Sequence, residues 1–178
     1  MTELFKDGVR LVPAAIEQLN LEDRSVDVLV RALGVAAPPS WPPEFNDRET
    51  RAWVRERLVA QPLEYSWYSR YIIAQIDNEP VLAGVAGYKG APDMTGQVEI
   101  GYSVVVELQR RGIATAAVRQ LCIDAFHQGA ETIIAHTIPA LIASQGVLRK
   151  LGFKPSQTII DPNDGEVWQY QLQRANVI

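Results

Sequence analysis

The sequence predicts an α+β fold in which helices pack on one mixed β-sheet. The chain of 178 residues is 47% hydrophobic and 21% charged, which is enough for one sizeable core. Helical periodicity dominates the first third, and runs rich in β-branched and aromatic residues, separated by turn signals, follow it. Because no repeat or linker divides the chain, we expect one domain over residues 1–178.

The first third predicts one strand and two helices. Val9–Pro13 alternates and ends at a proline, which is typical of a short strand. Ala14–Leu33 carries apolar residues at spacings of three and four, which predicts a helix broken near Asn20. A stiff, proline-rich loop then leads to a helix over Asp47–Gln61, for which Asp47 is a suitable N-cap.

The rest of the chain predicts strands interrupted by two helices. Ala117, Val118 and Leu121 share a face of the most regular helix, which Gly129 would end. The predicted strands are Tyr68–Ile76, Val81–Tyr88, Gln97–Val106, Thr132–Thr137, Phe153–Ile160 and Val167–Leu172, and the predicted helices are Thr115–Gln128 and Pro139–Leu151. The complete pattern is a mixed, mostly antiparallel sheet of about seven strands with about four helices.

Composition excludes several classes of function. The net charge of −4 makes the chain a poor match for nucleic acid or an anionic membrane. Cys122 is the only cysteine and there are two histidines, so we expect no disulfide, no cysteine-based zinc site and no metal cofactor. The N-terminal residues show no signal peptide, and no apolar run approaches the length of a bilayer span. We therefore expect a cytoplasmic protein.

The segment from Val104 to Thr115 is the strongest candidate for a ligand site. It joins a predicted strand to the most regular helix, and the first turn of a helix offers unpaired N–H groups and partial positive charge. Gly112 and Ala114 lack bulk, and Arg110 and Arg111 add charge for phosphate oxygens. An ordinary strand-to-helix loop with two solvated arginines explains the same residues.

The same segment resembles motif A of the GNAT superfamily of N-acetyltransferases. Q-R-R-G-I-A at residues 109–114 has that motif's pattern, Gln/Arg-x-x-Gly-x-Gly/Ala. E-I-G-Y at residues 99–102 precedes it as in the ribosomal-protein N-acetyltransferase branch, and residues 143–153 resemble the branch's Asn-x-x-Ser…Val-Leu-x-Lys-Leu-Gly-Phe segment. Residues 1–80 match in element order only.

The resemblance implies acetyl-CoA as co-substrate and a coenzyme site between two splayed strands. Backbone groups of Val104, Val105 and Val106 would bind the pantetheine arm and polarise the thioester carbonyl. The pyrophosphate would be wrapped by the loop and the helix start, which comprise Gln109, Arg110, Arg111, Gly112, Ile113, Ala114 and Thr115. The thioester would lie in the gap between the strands ending at Val106 and Thr137.

Two residues are candidates for the general base that deprotonates the amine. Glu99 precedes the coenzyme loop at a place where the family commonly has a carboxylate; a solvent-facing strand glutamate is the alternative. His136 falls near the end of the neighbouring strand, and an imidazole titrates near neutral pH. A hydrogen-bonded core histidine is the alternative there, and the sequence does not choose between the two bases.

Ser144 matches the family's serine and is the candidate for protonating the thiol or binding the pantetheine. The family's asparagine position holds Leu141, and the tyrosine that many relatives use as general acid would fall at Leu148. A general acid would then be Ser144 or a nearby tyrosine such as Tyr170, or the thiolate leaves with help from solvent. Cys122 reads as a core residue on a helix face.

The acceptor is the least determined part of the prediction. The loop from Pro38 to Phe45 is the expected acceptor region, where Trp41 would line a pocket or anchor the loop to the core. We predict a primary amine as acceptor, either a protein N-terminus or a small molecule, and the sequence allows a homodimer. A non-catalytic acyl-CoA-binding module with the same fold is the alternative, because Leu141 and Leu148 depart from the family pattern.

Overall fold

The computed structural model describes residues 5–163 and 165–176. Residues 1–4, which belong to the N-terminal segment 1–7 on which the prediction of no signal peptide rests, lie outside this part. The strands are β1 (Val9–Pro13), β2 (Ser69–Ile76), β3 (Glu79–Tyr88), β4 (Gln97–Val104), β5 (Thr132–Thr137), β6 (Lys154–Asp161) and β7 (Gly165–Gln173). The α-helices are α1 (Ile16–Arg24), α2 (Val26–Leu33), α3 (Arg48–Ala60), α4 (Ile113–His127) and α5 (Ile142–Lys150).

The prediction of about four helices was wrong for the N-terminal segment. The chain breaks at Ser25 rather than near Asn20, and this gives five α-helices among the described residues. Ser25 is extended, and its hydroxyl accepts a hydrogen bond from the backbone N–H of Asp27 at 3.1 Å. A serine that caps the next helix ends the first one, whereas Asn20 lies within α1 without breaking it.

The seven strands form one mixed sheet, as predicted, in the order β1-β2-β3-β4-β5-β7-β6. Among the described strands β4 and β5 are the parallel pair, and the other neighbours are antiparallel. The β4–β5 pairing ends at Ile100 and Ala135, although β4 continues to Val104 and β5 to Thr137. The predicted splay between the central strands is therefore confirmed, and it leaves a gap in the sheet.

The helices pack on opposite faces of the sheet. Helices α4 and α5 cover one face, where Ile100, Val104 and Ala135 are buried with Val118 and Leu148. Helices α1 to α3 cover the other face over β1, β2 and β3. Because strand residues alternate between faces, Glu99 and His136 point to the face that α1 to α3 cover only in part.

Among the described residues, no helix combines the length and the apolar composition that crossing a membrane requires.

Candidate active site

The start of α4 is an anion site built from backbone N–H groups. Gly112 has φ +81° and precedes the helix, and no side chain caps it. The N–H of Ala116 donates to the carbonyl of Gly112 at 2.9 Å, so the N–H groups before it have no acceptor within the helix. The first turn holds no acidic residue. This end of α4 therefore offers unpaired donors and partial positive charge to an anion.

The loop before α4 is held by one of the predicted ligand residues. Gln109 donates from Nε2 to the backbone carbonyl of Val104 at 3.0 Å, so its side chain fixes the loop against the end of β4. Arg110 and Arg111 are exposed and form no ion pair with any described residue. Their guanidinium groups are available to a phosphate.

A cavity of about 370 Å³ lies beside this loop, and Arg111, Gly112 and Thr115 form part of its lining. Arg119 and Lys150 contribute two more cationic side chains. Asp7 also lines the cavity and forms an ion pair with Arg119, so part of this positive charge is balanced.

The edge of β4 that faces the gap extends beyond the last residue that pairs with β5. Lys89 N–H donates to the Glu99 carbonyl and Val105 N–H to the Ala83 carbonyl, both across to β3. Hydrogen-bonded pairs alternate along an antiparallel ladder, so the backbone groups of Tyr102 and Val104 point the other way, toward β5. Since β5 has already diverged there, the N–H of Val104 faces the gap. The N–H of Val105 is occupied by β3.

The two candidate bases are in contact with each other. His136 Nδ1 lies 2.9 Å from Glu99 Oε1, and the same oxygen forms an ion pair with the ammonium group of Lys89. The side chains of Glu99 and His136 are 22% and 23% exposed, so both can be reached from solvent. They lie where β4 and β5 begin to separate. The arrangement can accept a proton from a group bound beside the gap.

The comparisons with known proteins show the family of the chain. Residues 16–154 match the family model described as the acetyltransferase (GNAT) domain. The chain belongs to the GNAT acetyltransferase family. It is also 27% identical over 154 residues to YjdG of Bacillus subtilis (strain 168), an uncharacterized N-acetyltransferase, which covers 86% of this chain and 90% of that protein.

Several solved structures share the fold. The ribosomal-protein-S5-alanine acetyltransferase from Vibrio fischeri superposes with a TM-score of 0.66 at 20% identity, covering 97% of each chain. RimL, a ribosomal L7/L12 α-N-protein acetyltransferase in complex with coenzyme A, gives 0.65 at 18% identity over 94% of this chain and 95% of that one. The microcin C7 self-immunity acetyltransferase MccE, in complex with acetyl-CoA and AMP, gives 0.66 at 16% identity over 94% and 93%.

In this member of the GNAT family, Ser144 lies on α5 and contacts a tyrosine that the sequence analysis did not select. The Tyr102 hydroxyl is 2.9 Å from Ser144 Oγ and 3.2 Å from the Ser144 carbonyl oxygen. Burial raises the pKa of Tyr102 to about 12, so its hydroxyl stays protonated at neutral pH. Tyr102 shares a face with Ile100 and Val104 on β4, and that alternation was the available signal.

Tyr170, the tyrosine named from the sequence as a possible acid, lies elsewhere. It is on β7, its side chain is fully buried in the core, and its hydroxyl accepts a hydrogen bond from Arg149 at 3.2 Å. Leu148 is also fully buried in that core. Tyr102, and not Tyr170, is therefore the tyrosine whose hydroxyl lies beside Ser144. Its contact joins β4 to α5.

Cys122 is a core residue, as predicted. It is buried on α4, and burial raises the pKa of its thiol to about 12. A thiol that stays protonated inside the core is not available as a nucleophile.

Trp41 anchors the proline-rich loop to the core. Its indole Nε1 donates to Glu22 Oε1 at 3.0 Å, and the same carboxylate accepts from Asn46 at 2.7 Å and from the Tyr71 hydroxyl at 2.8 Å. Burial is the largest influence on the Glu22 carboxyl and raises its pKa. The anchoring interpretation of Trp41 is the one that these contacts support.

The same loop is joined to the coenzyme-side segment. Ser40 N–H donates to Glu107 Oε1 at 3.1 Å, and the Ser40 hydroxyl donates to Oε2. Glu107 lies in the 3₁₀ turn Val106–Leu108, between β4 and the loop at the start of α4. The loop expected to contact the acceptor therefore has a fixed position relative to the expected coenzyme site.

Proposed function

We propose that the protein transfers an acetyl group from acetyl-CoA to a primary amine by direct attack within a ternary complex. The observation that carries the proposal is the contact between Glu99 and His136 at the point where β4 and β5 separate. This contact places a proton acceptor beside the gap between β4 and β5. The chain that leaves β4 at this gap leads to the anion site at the start of α4. Direct transfer needs no enzyme nucleophile, and the buried Cys122 supplies none.

The coenzyme would lie along the edge of β4 with its pyrophosphate at the start of α4. The unpaired N–H groups of the first helical turn and the guanidinium groups of Arg110 and Arg111 suit the phosphate oxygens. Gly112 leaves the approach open, since a Cβ there would meet no other atom within 4 Å. The Val104 N–H would then polarise the thioester carbonyl as negative charge develops on its oxygen.

The Glu99–His136 pair would remove the proton from the acceptor ammonium, either directly or through a water molecule. The neutral amine then forms the new C–N bond at the thioester carbon, and the C–S bond breaks. The nitrogen loses its second proton as the amide forms, and this loss balances the proton that the departing thiolate takes up. Tyr102 and Ser144 are the groups proposed to return a proton to the departing thiolate, because a hydroxyl that stays protonated at neutral pH is a competent donor.

The names of the structural relatives support two classes of amine. The enzyme from Vibrio fischeri and RimL are named for ribosomal proteins, and RimL is described as an α-N-protein acetyltransferase. MccE is a self-immunity acetyltransferase whose structure contains AMP. The proposed acceptor is therefore a primary amine, and a protein N-terminus and a small molecule both remain within the proposal.

A panel of acceptors tests the proposal. Purified protein with acetyl-CoA should release free thiol when the acceptor is supplied, and the acetylated amine should appear by mass spectrometry in equal amount. The panel should contain ribosomal-protein N-terminal peptides, aminoglycosides and aminoacyl nucleotides. Thiol release that does not depend on any amine would indicate hydrolysis and contradict the proposal.

The second candidate is a non-catalytic module that binds acyl-CoA. The observation in its favour is that Leu148, at the family's tyrosine position, is fully buried and offers no acid. Tight binding of coenzyme A by calorimetry together with no turnover across the whole panel would select this alternative.

A further inference from the structure

Gln169 contacts His136 from the side opposite Glu99. It lies on β7 directly opposite His136 of β5, and its Oε1 is 3.2 Å from His136 Nε2. Only 8% of Gln169 is exposed. Nothing in the proposed transfer requires a buried amide at this position.

Contacts with β6 determine which way the Gln169 amide points. The Ser156 hydroxyl donates to the Gln169 backbone carbonyl at 3.2 Å, and this uses its only proton. Ser156 Oγ therefore accepts from the Gln169 side chain, whose Nε2 lies 2.9 Å away. Gln157 Nε2 also donates to Gln169 Oε1, at 2.8 Å. The amide nitrogen faces Ser156, and the oxygen faces His136.

A carbonyl oxygen only accepts hydrogen bonds, so His136 Nε2 must carry the proton that joins it to Gln169. In the neutral ring Nδ1 then has a lone pair, and it faces the carboxylate of Glu99, which is also an acceptor. We propose that Gln169 is a positioning residue that holds His136 in the Nε2–H tautomer. On the proposed function, the proton taken from the acceptor ammonium is then bound between His136 Nδ1 and Glu99 Oε1.

The proton balance of this step is simple. The acceptor ammonium loses one proton and becomes a neutral amine, and the Glu99–His136 pair gains that proton as a completed Nδ1–H···Oε1 hydrogen bond. Among the residues that the structure describes, Lys89 is the charged group that forms an ion pair with this unit, and β6 and β7 contribute neutral amides and a hydroxyl. Without Gln169, the neutral ring would move its proton to Nδ1 and satisfy Glu99 without taking up another.

Nitrogen NMR of the two imidazole rings tests the tautomer directly. The chain has two histidines, and His127 is exposed at the end of α4, so a His127→Gln variant identifies the His136 signals. We expect Nε2 of His136 to stay protonated over the accessible pH range and Nδ1 to gain and lose the proton. In Gln169→Leu the roles should exchange, with Nδ1 protonated throughout.

Two variants separate the tautomer from general effects on β7. Gln169→Glu keeps an acceptor at the same position and should retain the native pattern. Gln171→Leu removes an amide two residues away on the same face of β7, where the side chain has no hydrogen bond with a described residue. This variant should also retain the native protonation pattern of His136. A native His136 already protonated at Nδ1, or a Gln169→Leu spectrum identical to the native one, would overturn the proposal.

Kinetics give the second readout. Gln169→Leu should lower kcat about tenfold with KM for acetyl-CoA within about twofold, and Gln169→Glu should recover most of the loss. An unchanged kcat in Gln169→Leu would also overturn the proposal. If no amine is acetylated by the native protein, the proposed function fails, and the NMR experiment still decides the role of Gln169.

Discussion

Glu99 is a carboxylate with two nitrogen partners of different kinds. Lys89 contributes an ammonium group, whereas His136 contributes a ring nitrogen at 2.9 Å. The same oxygen atom contacts both partners. The two side chains that the sequence offered as alternative bases are therefore in direct contact with each other.

Replacing Glu99 tests whether this pair acts in the chemical step. Glu99→Gln keeps the size and a hydrogen-bonding amide but removes the charge, so we expect kcat to fall about 100-fold. Coenzyme affinity should stay within about twofold, measured by calorimetry. Glu131→Gln is a matched control, because Glu131 is an exposed carboxylate paired with Arg174. Equal kcat in the Glu99 and Glu131 variants would contradict the assignment, and loss of activity in His136→Ala alone would leave His136 as the base.

Tyr102 gives a second prediction at the level of single atoms. Since the pKa of its hydroxyl is raised to about 12, it remains a proton donor throughout the neutral range. Tyr102→Phe should lower kcat about tenfold, with the folded structure unchanged by circular dichroism. Tyr170→Phe removes a hydroxyl that is fully buried beside Arg149 and should change thermal stability rather than kcat. A lower kcat in Tyr170→Phe together with an unchanged kcat in Tyr102→Phe would assign the role of proton donor to Tyr170.

The elements show which features of the fold can be read from sequence. The period of α4 and the glycine before it are local properties, and the bounds Thr115–Gln128 predicted from them differ little from the observed Ile113–His127. The break at Ser25 was missed because capping depends on one hydroxyl, which periodicity does not register. The site contacts were missed for a different reason. His136 and Gln169 are 33 residues apart in the sequence and come together through the pairing of β5 with β7. The order of the elements along the chain does not predict this pairing.

Gly112 is the residue whose backbone geometry matters most for the proposed coenzyme site. Its φ of +81° turns the chain into α4, and its missing Cβ leaves the approach to the helix start open. We expect Gly112→Val to weaken coenzyme A binding at least about tenfold, measured by calorimetry, because a branched side chain obstructs the phosphates. Gly165 is a control with φ +73° and open surroundings in the β6–β7 turn, so Gly165→Val has a similar backbone strain. Equal affinities for the two variants would contradict the phosphate site.

At the scale of the whole molecule, the Glu22 carboxylate links the N-terminal helices to the sheet. It joins α1 to Trp41 and Asn46 in the loop region and to Tyr71 on β2. Arg51 of α3 lies 3.6 Å from the same group. Ser40 then connects the loop to Glu107, just before the coenzyme loop. The proposed acceptor region and the proposed coenzyme site are therefore joined through one set of hydrogen bonds.

This set of hydrogen bonds predicts a characteristic dependence of stability on pH. Burial raises the pKa of Glu22 above its ordinary value of 4.5. Above that pH the unfolded chain releases the proton while the folded protein still holds it, so the contribution of Glu22 to stability is full below about 4.5 and falls as the pH rises through the raised pKa. Asp23 has the opposite behaviour, since its bonds to Arg51 and Arg55 lower its pKa against the effect of burial. Its contribution is lost as the pH falls.

Glu22→Gln should therefore change stability in a pH-dependent way. The uncharged amide retains an acceptor for Trp41 or Asn46 and cannot ionise, so the variant avoids the cost of a buried charge and loses the attraction to Arg51. We expect its free energy of unfolding, relative to the native protein, to rise as the pH increases from 4.5 to neutrality. Urea denaturation at several pH values measures this difference, with Glu79→Gln on the exposed start of β3 as the control. A difference that stays constant over this range, or falls with increasing pH, would show that Glu22 is ionised in the folded protein as readily as in the unfolded chain.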